Sequence, residues 1–364
     1  MRRLILLIGA LLAVVMPAAS AWAQTTTNDA AAQKAAAYIR TQQAPDGTFA
    51  GFGAGSTADA IYALAAANLN IAELKTGGAS PIDGLSKLAP EAAKDPGVAA
   101  KFVIAALLAG QSPTALGGTD MVAAVESGFN AATGQYGKDV TAHVLALLAL
   151  RAAGATVRPE AVAALEKLQL PDGGWSFDGT PATGSDTNTT SLAIQALTAA
   201  GSTTDARTKA LDYLRAQQNP DGGFPYSQTS QFGNASDANS TALGVQAILA
   251  SGETLDAWAK AGKTPVDRLL AFQNPSGAFR FQDAQPEDNQ LATYQAIPAI
   301  TGKPFPTEPI LTALAPSAQT AEPATTTGEG SGLPAAGRGS RLTLPLLVAG
   351  LLLLAGLALR RRSA

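Results

Sequence analysis

The chain has no cysteine and one histidine, His143, among its 364 residues. The first absence excludes disulfides, thiol nucleophiles, thioester chemistry and Cys-ligated zinc. Charge is also sparse: charged residues make up 15%, the net charge is −3, and no basic block occurs away from the termini. A nucleic-acid partner, which needs a concentrated positive face, is therefore not expected. Without covalent staples the body has to be held by packing alone, and the roughly 280 residues between the terminal segments suffice for a large core.

Both ends are distinctive. Arg2 and Arg3, an apolar run from Leu4 to Val15 and the closing Ala21-Trp22-Ala23 have the form of a secretory signal peptide over residues 1–23. At the other end Leu342 to Leu359 is apolar and runs directly into Arg360, Arg361 and Arg362. A helix of that length spans about 27 Å, enough for a bilayer core. The arginines place the tail, 360–364, in the cytoplasm and the body outside. Residues 307–341, rich in Pro, Thr, Ala, Gly and Ser, read as an extended tether. The expectation is an exported protein anchored in the cell membrane by one C-terminal transmembrane helix. Within the tether, Leu333 to Gly337 (LPAAG) resembles the LPxTG wall-sorting signal, but Ala336 stands in place of the Thr, which favours a membrane anchor over wall attachment.

The body, 24–306, is repetitive. Gln169 to Gly201 joins a helix end, a Gly turn closed by Trp175, a polar loop and an Ala-rich helix. Gln218 to Gly252 repeats it, with Asp237, Asn239, Thr241 and Gln246 matching Asp186, Asn188, Thr190 and Gln195. Weaker copies occur around the turns Pro45 to Phe49, Thr133 to Tyr136 and Asn274 to Phe279, and a degenerate copy without the turn covers Ser80 to Gly110. Six helical hairpins result. The second helix of each is apolar nearly all round, as in Leu192, Ile194 and Leu197, whereas the first mixes Val162, Leu165 and Leu168 with Glu160, Glu166 and Lys167. One buried and one half-buried helix per repeat predicts two concentric layers that close on themselves. In the turns, Gly173 and Gly174 supply the left-handed backbone that reverses the chain.

QLPDGGWSF, QNPDGGFPY and QQAPDGTF resemble the QxxDGGW/F repeats of the prenyltransferase and squalene cyclase superfamily. The resemblance covers about Ala31 to Pro306 and implies an all-α fold, an α/α toroid. It extends to the toroid of the cobalamin carriers intrinsic factor and transcobalamin, which bind without catalysis. Cyclases of the squalene-hopene type use a DxDD acid motif and ionising terpene synthases a DDxxD cluster; this chain has neither. The Asp, Cys and His zinc site of the protein prenyltransferases is likewise beyond a chain with no Cys and one His.

Polar residues recur where the inner helices begin: Asp139, Asp186, Asn188, Thr190, Asp237, Asn239, Thr241 and Asp288, with His143 at the position of Thr190 in the third repeat. If the inner helices run the same way, these starts surround one mouth of a central cavity, where unpaired helix N–H groups suit acceptors on a ligand. For each Asp the plainer reading is an ordinary N-cap. Asn188 and Asn239 fit that reading less well, because Asn is a poor helix former inside a first turn. His143 is either an acid, base or ligand facing the cavity or a hydrogen-bonded structural residue. Paired carboxylates among these residues would also suit a glycosidase or lyase.

The reading adopted is a toroid that binds a small or extended ligand in its central cavity without catalysis and without a cofactor. An isoprenoid, a corrinoid or a short peptide or glycan end would suit it, and no catalytic or metal-binding residue is assigned. The alternatives are a terpene cyclase or mutase, and a structural or adhesive surface protein that uses the outside of the ring. A barrel filled by Leu and aromatic side chains would favour the last.

Overall fold

Helix and turn signals alternate at short range, and the computed structural model, which describes residues 18–51, 53–231 and 233–310, turns them into helical hairpins. Twelve α-helices lie among the described residues. The outer ones are α1 (Ala18–Thr41), α3 (Pro81–Ala92), α5 (Met121–Ser127), α7 (Pro159–Lys167), α9 (Ala206–Gln217) and α11 (Pro265–Leu270). The inner ones are α2 (Gly55–Ala66), α4 (Pro96–Leu108), α6 (Val140–Ala152), α8 (Thr187–Ala199), α10 (Ala238–Ala250) and α12 (Gln290–Ile300). Several outer helices start with Pro, and α3 and α11 carry full capping boxes, Ser80 with Asp83 and Thr264 with Asp267. Five inner helices are capped by an Asp or Asn side chain; α2, preceded by Ala54, is not.

The inner helices pack in the order α2, α4, α6, α8, α10, α12, and α12 returns to α2. The degenerate second repeat therefore does not open the ring. All six run the same way: Val140 N–H, at the start of α6, donates to Phe177 O of the next repeat, and Thr187 N–H, at the start of α8, donates to Tyr226 O of the one after.

The outer layer closes as well, and the turn residues do it. Gln169 Nε2 donates to Gly173 O of its own turn and to Ala206 O of the next outer helix, at 2.8 and 2.7 Å. Gln218 repeats this with Gly222 and Trp258, and Gln273 with Gly277 and Ala31, which joins the sixth repeat to the first. The first turn glycine has a positive φ, +88° at Gly173 and +93° at Gly277, and a Cβ there would meet the carbonyl oxygen of Lys209 at 2.5 Å or of Lys34 at 2.4 Å. Glycine is thus required twice over, by conformation and by closeness to the neighbouring helix. The aromatics behind the turns, Phe49, Tyr136, Trp175, Phe224 and Phe279, are all buried.

Two short antiparallel hairpins interrupt the all-α plan: β1 (Phe129–Asn130) with β2 (Gln135–Tyr136), and β3 (Phe279–Gln282) with β4 (Gln285–Asn289). In the sixth repeat the segment between aromatic and inner helix pairs with itself, where the fourth repeat makes a single bridge, Trp175 to Asp186.

After α12 the chain does not leave the ring. Residues 302–310 cross the end of the barrel where the inner helices finish. Lys303 bonds to Ala66 O and to Asn68, and its carbonyl accepts from the Tyr62 hydroxyl at 2.8 Å. Phe305 stacks on Tyr62 of α2 with ring centroids 4.7 Å apart, and its N–H donates to Gln195 Oε1 of α8, the helix opposite in the ring. Arg151 of α6 then holds Thr307 O and Glu308, and Ile310 N–H donates to Ala152 O. This strap extends past Pro306, where the body was expected to end. No helix among the described residues is long and apolar enough to cross a membrane. The expected span, Leu342 to Leu359, lies outside the described residues, as does most of the expected leader; the cleavage point near Gln24 falls within α1.

Candidate functional site

The starts of the inner helices gather at the end of the barrel opposite the strap. Asp186 and Asp237 are fully buried there and act as N-caps. Asp186 accepts from Thr189 N–H at 2.7 Å and from the Thr189 hydroxyl at 2.8 Å; Asp237 makes the same pair with Ser240. Burial outweighs these bonds and raises the carboxyls to about 6 for Asp186 and about 7 for Asp237. Asp139 is a half-buried cap, bonded to Ala142 N–H, and burial together with the charge of Asp95 raises it too.

Thr190 and Thr241 face away from the axis. Their hydroxyls accept the N–H of Trp175 and Phe224, both at 3.0 Å, and Thr57 and Thr293 do the same for Phe49 and Phe279. His143 is the third-repeat version: its Nδ1 accepts Tyr136 N–H at 3.0 Å. Nε2 must then carry the proton, which it donates to Ala161 O at 3.0 Å. Burial lowers this imidazole to about 4, so it is neutral and fully bonded. These three residues, expected on the rim, are committed to the turn; an acceptor for the aromatic's N–H explains their recurrence.

Asp288 is corrected as well. It sits exposed in β4 and accepts from Asn274 Nδ2 and Ser276 Oγ, both at 2.8 Å, while Asn289 caps α12. The equivalent bonds in the fourth and fifth repeats run from Ser185 to Asp172 and from Ser236 to Asp221, with donor and acceptor exchanged. Asp288 thus stands one residue before the cap.

Asn188 and Asn239 do face the axis. By helical spacing Asn188, Leu192 and Gln195 share one face of α8, and Asn239, Leu243 and Gln246 one face of α10. Gln195 reaches Phe305 in the strap, and Gln246 reaches the Tyr62 hydroxyl across α12, so these faces look inward. Asn239 Nδ2 donates to Gln295 Oε1 of α12 at 2.7 Å. Asn188 has no such partner: it is 5% exposed and its Oδ1 is buried without a hydrogen bond. Leaving a buried amide acceptor unpaired costs about 1–3 kcal/mol. Thr141 Oγ1, at the matching position of α6, is also buried and unpaired.

The sequence reading missed two residues of this mouth. Lys101 Nζ of α4 donates to Asp59 Oδ2 of α2 at 2.9 Å, with side chains 30% and 22% exposed. Each is the one charged residue of its inner helix, and that isolation is the signal that could have found them. The barrel is therefore filled at its strapped end by Tyr62 and Phe305, and lined at its mouth by Asp59, Lys101, Thr141, Asn188, Asn239 and Gln295. Among the described residues no group of three His, Cys, Asp or Glu side chains converges as a metal site would require.

Comparison with known proteins agrees with this architecture. Residues 125–286 match the squalene-hopene cyclase C-terminal domain. The fold is similar to the type II terpene cyclase MstE from Scytonema: a variant in complex with geranylgeranyl dihydroxybenzoate has a TM-score of 0.56 at 13% identity, covering 78% of this chain and 99% of that one. The apo enzyme gives 0.56 at 14%, covering 77% and 97%. Haptocorrin in complex with Cbi has a TM-score of 0.50 at 12% identity, covering 78% of this chain and 69% of that one. No curated protein matches. With a closed double ring of six hairpins, the chain folds as an α/α toroid similar to that of the type II terpene cyclases.

Proposed function

We propose that the protein is a non-catalytic binding toroid whose ligand enters at the inner-helix starts and stops at the strapped end. One observation carries this reading: the uncharged side chains turned to the axis at the mouth are amides and a hydroxyl, while the carboxyls there are already engaged. Asp186 and Asp237 hold helix starts, and Asp59 holds Lys101. Protonating an alkene, the task of a type II cyclase, needs a free acid facing the substrate; Asn188, Asn239 and Gln295 can bind a ligand but cannot supply that proton. The mixed amide and hydroxyl lining favours a polar ligand, or the polar end of an extended one, over a bare isoprenoid chain. A corrinoid and the head of an isoprenoid conjugate both meet that description, as the ligands held by the similar folds illustrate. The strap, residues 302–310, lies at the end of the ring opposite the mouth. Export and anchoring through Leu342 to Leu359 complete the proposal.

The test is a turnover assay on the full chain with squalene and with geranylgeranyl dihydroxybenzoate, followed by mass spectrometry of the extract. Unchanged substrate is expected; a cyclised product would overturn the non-catalytic reading.

A further inference from the structure

Resting on the binding reading above, we infer that the ligand end seated in the mouth carries an amide, either a peptide bond or a small-molecule carboxamide. Asn188 is the starting point. Its side chain is more than nine-tenths buried, lies on the axial face of α8, and presents an Oδ1 with no donor. The next inner helix on one side offers Thr141 Oγ1, buried and equally unpaired. On the other side Asn239 gives its Nδ2 to Gln295 Oε1, a bond that fixes both amides and leaves Asn239 Oδ1 and Gln295 Nε2 as an acceptor and a donor. A group that offers N–H to Asn188 and presents both an N–H and a C=O beside it is an amide. Charge points the same way. Lys101 is matched by Asp59, and the other carboxyls at this end, Asp139, Asp186 and Asp237, are held as helix caps, so the mouth offers no unmatched cation to draw a carboxylate or a phosphate. A hydrocarbon would leave every one of these polar groups unpaired.

The experiment is ligand-observed NMR on the full chain with acetyl-triglycinamide and with its ester analogue, in which backbone N–H is replaced by oxygen. Cellotriose and farnesol serve as comparison probes. Binding of the amide at least tenfold tighter than the ester is expected in the wild type, with loss of that binding in Asn188→Leu and its retention in Asn188→Asp, which keeps an acceptor. Asn188→Leu removes an unpaired polar group, so its thermal midpoint is expected to equal or exceed that of the wild type. Equal binding of amide and ester, or tighter binding of cellotriose or farnesol, lost in Asn188→Leu, would overturn the amide assignment while leaving the mouth as the binding site. Amide binding untouched by Asn188→Leu, no binding of either triglycine probe, or an ordered water at Asn188 Oδ1 in a probe-soaked crystal, would also overturn the amide assignment. Cyclisation of an isoprenoid would remove the underlying reading as well.

Discussion

His143 shows how a residue with catalytic chemistry can be held for a structural task. Its Nδ1 replaces the threonine hydroxyl that in four other repeats receives the N–H of the buried aromatic. Replacing it with Val would leave Tyr136 N–H unpaired and cost about 1–3 kcal/mol; Thr, the residue of the other repeats, should recover part of that loss. Urea denaturation of His143→Val and His143→Thr measures the difference. Asp237 gives a prediction in pH. Its folded carboxyl titrates at about 7 against an ordinary value of 3.8, so the folded state holds a proton that the unfolded chain has released. Stability from this group is therefore present at low pH and lost as pH rises through 7, by about 1 kcal/mol between pH 6 and 8. His143, lowered to about 4 from 6.5, acts in the opposite sense: its contribution is present above pH 6.5 and is lost as pH falls below it, so it offsets part of the Asp237 change between pH 6 and 8 and is the same in a variant at Asp237. Urea midpoints at pH 6 and pH 8 should differ in the wild type and draw together in Asp237→Asn. At this scale the sequence was only partly legible. The recurrence of Asp186, Asn188 and Thr190 was plain, but not that the Asp caps, the Asn faces the axis and the Thr faces the turn, because residues two apart at a helix start point to opposite sides.

The repeating element is the turn that ends each outer helix. Gly277 and Gly201 both have positive φ, but a Cβ at Gly277 would strike Lys34 O whereas Gly201 has open space around it. Gly201→Ala should cost about 1 kcal/mol, the conformational penalty alone. Gly277→Ala should cost a further 1–3 kcal/mol or so, because the ring seam must shift to admit the methyl group. Thermal denaturation of the two variants separates the terms, and equal losses would mean that the seam contact carries nothing. Trp175 is also part of this element: it is buried, and its Nε1 donates to Leu165 O at 2.7 Å, so Trp175→Ala should cost about 3–5 kcal/mol. Hairpin count, inner and outer layers and turn positions were all readable, since Gly turns and apolar periodicity are local signals. The β3–β4 hairpin was not, because an Asp expected to begin α12 instead pairs with its own turn.

For the whole molecule, closure and the strap decide what the ring can do. Closure follows from the repeats, and the seam from Gln273 and Gly277 was implicit in their motif. The strap was hidden, and Asp59 and Lys101 were legible only as two isolated charges, since both features depend on contacts between residues far apart in the chain. Together they make a barrel sealed at one end and polar at the other, and from that shape comes the claim that it binds at the mouth without catalysis. Native mass spectrometry of the full chain, purified from its own organism, tests this most directly, with the wild type set against Asn188→Leu combined with Asn239→Leu. The account predicts a stoichiometric small molecule on the wild type, chemically unchanged after incubation, and none on the double variant. A wild type that is empty, or a double variant that keeps the molecule, would contradict it.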